Sequence, residues 1–503
     1  MTFSSIYSIL CKKTFAKYMN YSGFNVYEKS IHRIQVGGET SEIFMAYNDT
    51  EDFLVIKGPD CGFDGEKTAD GKLIAALNHM NANILRKHFA FTNPGRVLQK
   101  DRSFGLGDRL GIAAPGYIKL FECCDAFPVL VQQSIRELNL TNRSYEEVLD
   151  AASFAVFRED FQKTWGADGD HLKTFKDAEY ALSLGFSMIT LDCSDHIKTD
   201  IGESGTLPLL EKYKNKYLGK QFDIGEGIKL GFTEAELREI PTIYGEAISF
   251  IVEMYNRFLK DNKYNADFEI SIDETISPTT PLQHYFVARE LLDNGVSFAT
   301  IAPRFCGEFE KGIDYIGNLS QFEKEIKIHA AIARHFNYKL SIHSGSDKFS
   351  VFPVIGKETR GVFHIKTSGT NWLEAMRVIA LTEPPLYREI HKYALSVFEE
   401  AKKYYRVSAN TKNIPQVDSL SDEELPSLFD RNDSRQLIHI TYGFILNKKN
   451  DDGSFAFKNR LYKIWRQKKE IYAKMLERNI VNHLEQLGIG KTKNTQGEKN
   501  DKC

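Results

Sequence analysis

Trp165-Gly166-Ala167-Asp168-Gly169-Asp170-His171-Leu172-Lys173-Thr174 sets Asp168, Asp170, His171 and Lys173 within ten residues. Carboxylate, imidazole and ammonium together are the groups of proton transfer and of cation binding. Gly166, Ala167 and Gly169 leave the backbone room to bend. Just downstream, the apolar run Ser187 to Leu191 reads as a buried strand and ends in Asp192, Ser194, Asp195 and His196. Polar residues gathered at the C-terminal ends of apolar strands mark the reactive face of a parallel α/β sheet or barrel.

The same layout recurs, giving a strand-end inventory of Asp170, His171, Asp192, Asp195, His196, Asp273, Glu274, Arg304, Glu308, His343 and Asp347. Imidazole mixed with carboxylate suits a divalent cation of the Zn²⁺, Ni²⁺, Mn²⁺ or Co²⁺ class. There is no HExxH motif and no CxxC pair, so such a site must be assembled from separate strands. His171 and His343 stand out, because both fall at strand ends or in glycine-containing turns. His329, His335 and His391 sit in helical segments and read as structural. The glycine-rich stretch Ser103 to Gly111 carries Arg109, whose guanidinium can fork onto a carboxylate.

Elements must carry these residues. Strands are expected at Val129–Gln133, Phe154–Phe157, Ser187–Leu191, Phe268–Ile272, Ser297–Ala302, Lys339–Ile342, Val362–Lys366 and Leu437–Tyr442. Helices are expected between them. One starts at the capping box of Ser144 and Glu147, and another runs from Thr233 with Glu236 three positions on. Pro241 should kink or split the latter. Eight strands alternating with helices predict an α/β fold of the (β/α)₈ barrel type. An open doubly wound sheet is the alternative, although no GxGxxG follows the first strand. Residues 1–92 form a small N-terminal α+β layer, with strands near Ile34, Glu42 and Asp52 and a helix from Leu73 to Phe89. Residues 93–450 hold the catalytic barrel. Residues 451–503 add a C-terminal helix, Asn459 to Leu487, and a disordered basic tail from Gly488 to Cys503.

Composition narrows the function classes. A formal net charge of −3 offers no general electrostatic basis for binding nucleic acid. No apolar run approaches a membrane span, and Met1–Cys11 precede Lys12 and Lys13, the reverse of a signal peptide. Seven scattered cysteines read as reduced thiols in a cytoplasm. The expected partner is a small molecule, with homo-oligomerisation left open.

Five motifs in order carry a resemblance to a known family. They are Gly105-Leu106-Gly107-Asp108-Arg109, Gly166 to Thr174, Leu191-Asp192-Cys193-Ser194-Asp195-His196, Ser271-Ile272-Asp273-Glu274-Thr275, and Ile342-His343-Ser344-Gly345-Ser346-Asp347-Lys348-Phe349-Ser350. Together they resemble the tagaturonate epimerase family over roughly residues 95–450. The resemblance implies a divalent-metal-dependent enzyme that interconverts D-tagaturonate and D-fructuronate, joining galacturonate and glucuronate catabolism.

That reaction constrains the roles. Counted from the keto end, the two sugar acids differ at carbon 4. The ketone at carbon 2 acidifies the carbon 3 proton but not the carbon 4 proton. Direct deprotonation therefore cannot invert carbon 4, whereas retro-aldol cleavage between carbons 3 and 4 can. Two proton carriers on different strands are needed, and Asp170 and Glu274 fit. His171, Glu308 and His343 are the expected metal ligands. Arg304, Lys173 and Lys348, with Arg109, are the candidates for holding the substrate's carboxylate. A metal-dependent aldolase or ketose isomerase would use much the same residues. A non-catalytic sugar-acid binding protein is the reading from outside enzymology.

Overall fold

The computed structural model describes residues 23–198 and 206–490. The expected disordered tail lies, from residue 491, outside the described residues.

The N-terminal layer is a six-stranded antiparallel sheet. Its strands are β1 (Asn25–Val26), β2 (His32–Val36), β3 (Glu39–Tyr47), β4 (Asp52–Lys57), β5 (Glu66–Lys67) and β6 (Leu73–Ala76). Gly37 and Gly38, with φ of +61° and +90°, make the tight turn between β2 and β3 that only residues free of a Cβ adopt easily. The helix expected from Leu73 is shorter. Leu73–Ala76 pair with β4 as a strand, and the helix begins at His79 with Asn78 as its cap.

The barrel is closed, parallel and eight-stranded. It comprises β7 (Arg102–Gly107), β8 (Phe127–Ser134), β9 (Gly166–Leu172), β10 (Met188–Asp192), β13 (Asp267–Ile272), β14 (Thr300–Pro303), β15 (Lys339–Ile342) and β16 (Phe363–Ser368). β16 pairs back onto β7. The small hairpin of β11 (Gln221–Asp223) and β12 (Lys229–Gly231) lies outside it. The eight-stranded (β/α)₈ expectation holds, but two of its strands are different ones.

Phe154–Phe157 is part of the helix Tyr145–Glu159. That helix is buried on two sides. Val148, Leu149, Ala152 and Val156 pack into the barrel's core, while Phe154 and Phe157 pack under the N-terminal sheet. A helix apolar all round imitates a short buried strand over four residues. Leu437–Tyr442 falls in the helix Asn432–Ile440 and the start of the next, buried in the same way. Their places in the barrel are taken by β7 and β9, whose glycines and aspartates disguise them. Gly105 illustrates why: a Cβ there would lie 1.7 Å from Oε1 of Gln132 on β8. A side chain there would push the Gln132 carboxamide aside, so a residue without one lets Gln132 lie inside the barrel.

The capping boxes form as expected, Ser144 with Glu147 and Thr233 with Glu236. The helix Glu234–Phe258 continues through Pro241 without splitting. Where one C-terminal helix was expected there are two, Lys458–Gln467 and Lys469–Gln486. They pack against outer helices of the barrel, among them Thr370–Thr382, and reach the N-terminal layer, where Arg466 binds Asp52 at 2.7 Å. Among the described residues no helix is long and apolar enough to cross a membrane.

Candidate active site

A cavity of about 330 Å³ opens at the C-terminal mouth of the barrel, and its wall includes Asp170, His171, Asp273, Glu274, His343 and Lys366. These come from the ends of β9, β13, β15 and β16. A cavity at this end, built from several strands, is where barrels of this kind place their chemistry.

β9 presents two adjacent residues to the cavity, which a regular strand cannot do. Asp168 pairs with Met188 and Gly169 with Ile189, but Leu172 pairs with Leu191. Asp170 and His171 thus stand opposite the single residue Thr190. This bulge puts His171 at a φ of +53°, a conformation unusual for a residue with a side chain. The glycines and the crowded polar residues of this stretch are the sequence's record of that local bend.

The floor of the cavity is a charged cluster inside the barrel. Lys366 on β16 reaches across to Asp168 at 2.7 Å, Asp170 at 2.6 Å and Glu269 at 2.8 Å. Thr190 and Thr300 donate to Glu269. All three carboxylates are buried. Burial pulls the Lys366 ammonium down, but the carboxylates outweigh it and hold it charged, well above the lysine range. One ammonium cannot neutralise three carboxylates. Burial pushes Asp168 up to about 6. Against the same burial, Lys366 with His343 keeps Glu269 well below the carboxylate range, and His171 with Lys366 does so for Asp170.

Above this floor His171, Asp273 and His343 bring one ligand atom each to within 4.8 Å of one another. His171 Nδ1 lies 2.7 Å from Asp170 Oδ1. Burial disfavours the His171 imidazolium, but Asp170 outweighs it and raises the pKa to about 10. His343 places Nε2 2.8 Å from Glu269 Oε1. Its Nδ1 is 3.1 Å from Asp273 Oδ1 yet, buried, lacks the alignment of a hydrogen bond.

The other sequence-derived candidates divide. Glu274 faces the cavity with Oε1 3.7 Å from His171 Nε2. Glu308 lines the wall but stands outside the donor cluster. It pairs with Arg304 at 3.5 Å and Arg406 at 3.4 Å, and Asp273 occupies the place in the cluster expected for it. Arg304 lines the cavity and also donates to the carbonyl of Thr275. Arg109, Lys173 and Lys348 are not in the cavity wall. Arg109 is buried under the barrel rim, paired with Glu137 at 2.7 Å and stacked on Tyr442. Lys173 points to Asp195 at 2.7 Å. Lys348 is buried and donates to the carbonyls of Glu310, Ile313 and Ser346, which hold a loop together.

Glu269, Lys366, Arg136 and Lys311 line or support the site without standing out as site residues in the sequence. Glu269 and Lys366 did leave a signal, since Phe268-Glu269-Ile270-Ser271 and Phe363-His364-Ile365-Lys366 alternate apolar and polar. Arg136 and Lys311 lie beyond strand ends and left none.

A closed barrel whose polar side chains converge at the C-terminal mouth defines this protein as a (β/α)₈-barrel enzyme. It is a member of the tagaturonate epimerase family, whose model matches residues 27–487, and so an enzyme of the isomerase class. The chain is 41% identical over 480 residues to the tagaturonate/fructuronate epimerase of Thermotoga maritima, covering 92% of this chain and 97% of that protein. It is also similar to crystal structures of the fructuronate–tagaturonate epimerase UxaE from Cohnella laeviribosi. The native form is 44% identical, with a TM-score of 0.89 over 97% of this chain and 99% of that one. A form with two glycerols is 46% identical, with a TM-score of 0.88 over 93% and 97%.

Proposed function

We propose that this enzyme interconverts D-tagaturonate and D-fructuronate by breaking and remaking the bond between carbons 3 and 4. The observation that carries the reading is the convergence of His171, Asp273, His343 and Glu274 in one cavity of a chain belonging to this family.

The donor set fits a divalent transition cation. Two imidazoles and a carboxylate are the ligand types of such ions. Each imidazole is oriented by a carboxylate on one nitrogen, Asp170 for His171 and Glu269 for His343, a pattern that metal-binding histidines share. The buried Nδ1 of His343, lacking a hydrogen bond, is the coordination-ready atom. His171, Asp273 and His343 would hold the cation, whose contribution is Lewis-acid polarisation of the substrate's ketone and neighbouring hydroxyl.

The protein's own groups handle the protons. One carboxylate takes the proton of the 4-hydroxyl as the bond from carbon 3 to carbon 4 breaks. The bonding pair passes into carbons 2 and 3 as an enediolate, and carbon 4 becomes an aldehyde. The aldehyde turns to offer its other face, carbon 3 attacks it, and a second carboxylate returns a proton to the new 4-hydroxyl. Glu274 at the open side of the cavity and Asp170 at its floor are the two carriers. Lys366 and His171 hold Asp170 ionised, so in this direction Asp170 takes the proton and Glu274, entering with one, returns it. In the reverse direction the two exchange roles. We place the enzyme in the cytoplasm, acting on a small sugar acid in hexuronate catabolism, in accord with its reduced-thiol composition.

Incubating the purified protein with D-tagaturonate tests the reading. Appearance of D-fructuronate supports it. Three-carbon products alone would indicate an aldolase, an aldose product a ketose isomerase, and binding without turnover a sugar-acid binding protein.

A further inference from the structure

Five lysine and arginine side chains line the cavity: Arg136, Arg304, Lys311, Lys366 and Arg406. Three have carboxylate partners within the protein. Lys366 holds its three carboxylates, and Arg304 and Arg406 share Glu308. Arg136 and Lys311 are different. Among the described residues neither makes an ion pair within 4 Å.

Arg136 follows the end of β8, its guanidinium 4.9 Å from the ring centroid of Tyr405. Its Nε is buried without a hydrogen-bond partner. Lys311 sits on the loop after β14, with Nζ 3.1 Å from Ser344 Oγ. Burial lowers its pKa, and the positive charge of Arg136 lowers it further. Nearby carboxylates act on the pair only at longer range. Glu137 is already bound to Arg109, and Glu274 faces His171. A buried donor without a partner costs free energy, as does holding two like charges on one cavity wall. A bound anion relieves both.

We infer that Arg136 and Lys311 form the subsite for the carboxylate of the sugar-acid substrate, and so select ketohexuronates over neutral ketohexoses. This rests on the proposed function and moves the carboxylate-binding role away from Arg109, Lys173 and Lys348. Arg136 supplies a planar fork that matches a carboxylate, and Lys311 a second charge. The ketone end of the same molecule then lies toward His171, Asp273 and His343. A cavity of about 330 Å³ is of the size that encloses a small ligand.

The test uses the full-length enzyme and its Arg136→Met and Lys311→Met variants, each shown by circular dichroism and thermal melting to be folded. The probe is D-gluconate, which has the carboxylate and hydroxyls but no ketone. D-glucitol, its neutral counterpart, is the control. Calorimetry should show each variant binding gluconate about 10–100-fold more weakly, the span of a lost charge-assisted hydrogen bond, with glucitol binding unchanged. Arg136→Lys should recover part of the loss. The KM for tagaturonate should rise by a similar factor, with kcat changed far less. Gluconate binding unaltered by both variants, or glucitol binding that falls in step with it, would overturn the inference. Wild-type enzyme that fails to turn over tagaturonate would instead overturn the proposed reaction, leaving the gluconate measurements to judge the anion subsite alone.

Discussion

Lys366 Nζ lies 2.6 Å from Asp170 Oδ1, joining β16 to β9 across the inside of the barrel. The two strands are not neighbours in the sheet, so this bond spans the interior rather than bracing an edge. Replacing Lys366 with Met leaves Asp168, Asp170 and Glu269 buried without their cation. Lys366→Met should cost about 3–5 kcal/mol of stability, the usual penalty for stripping one partner from a buried charge cluster. Urea unfolding at neutral pH measures it. A cost below about 1 kcal/mol, the range of exposed pairs, would mean that Lys366 does not hold the barrel floor.

Removal of the cation tests the donor cluster. Chelation should abolish epimerisation, and a divalent transition ion should restore it. His171→Ala, Asp273→Ala and His343→Ala should each weaken binding by about 10-fold or more, whereas Glu308→Ala should change it much less. Elemental analysis and titration calorimetry give the answer. Full activity in protein shown to be metal-free would end the assignment.

The bond that breaks leaves an isotopic record. If carbons 3 and 4 part and rejoin, the hydrogen on carbon 4 never leaves it. NMR of product formed in D₂O should therefore show no deuterium there. Stoichiometric deuterium at carbon 4 would favour carbon-centred deprotonation. Glu274→Gln should slow the reaction roughly 10²–10⁴-fold, the span of general acid–base catalysis, with metal content little changed. Asp170→Asn should slow it comparably, but it also loosens His171 and Lys366, so some loss of bound metal is expected with it.

A pH effect on stability is expected from a group outside the cavity wall. Glu374 is buried in the helix Thr370–Thr382, and burial pushes its pKa up from 4.5 to about 7 despite Arg377 at 3.3 Å. Between those values the folded state holds a proton that the unfolded state has lost. Stability therefore falls as pH rises from 4.5 to 7, by up to about 3 kcal/mol from this group. Glu374→Gln removes the effect. Its advantage over wild type in chemical denaturation should be small at pH 4.5 and grow to its full size above pH 7. An advantage independent of pH would refute the assignment.

The alternation of strands and helices made the barrel legible, and so did the capping residues Ser144 and Thr233. His171, Glu274 and His343 were legible as strand-end residues. Three things were hidden. Phe154 and Phe157 look like a strand because their helix is covered on both sides. β7 and β9 look like loops because close packing and a bulge demand glycine and polar residues there. Glu269, His364 and Lys366 look like the wet side of a half-exposed sheet. In this barrel the apolar side of these strands meets the surrounding helices and the polar side points inward, so the pattern was present and its direction was not. Arg136 and Lys311 could not be found from spacing at all, since their meaning lies in the counter-ions they lack.

The polar column inside the barrel bears on how this enzyme can change over evolutionary time. Lys339 binds Ser103 and the carbonyl of Lys100 near the base, and Lys366 ties together β9, β10, β13 and β16 above it. The groups that orient the reacting residues are thus the ones that keep the cylinder closed. Exchanges among them meet a folding penalty before any new chemistry can be selected. Arg136, Lys311 and Arg304 lie on loops and helix starts outside the strands, where no such penalty is tied to them. Adaptation to new substrates is therefore channelled to the rim, and drift at the floor is suppressed.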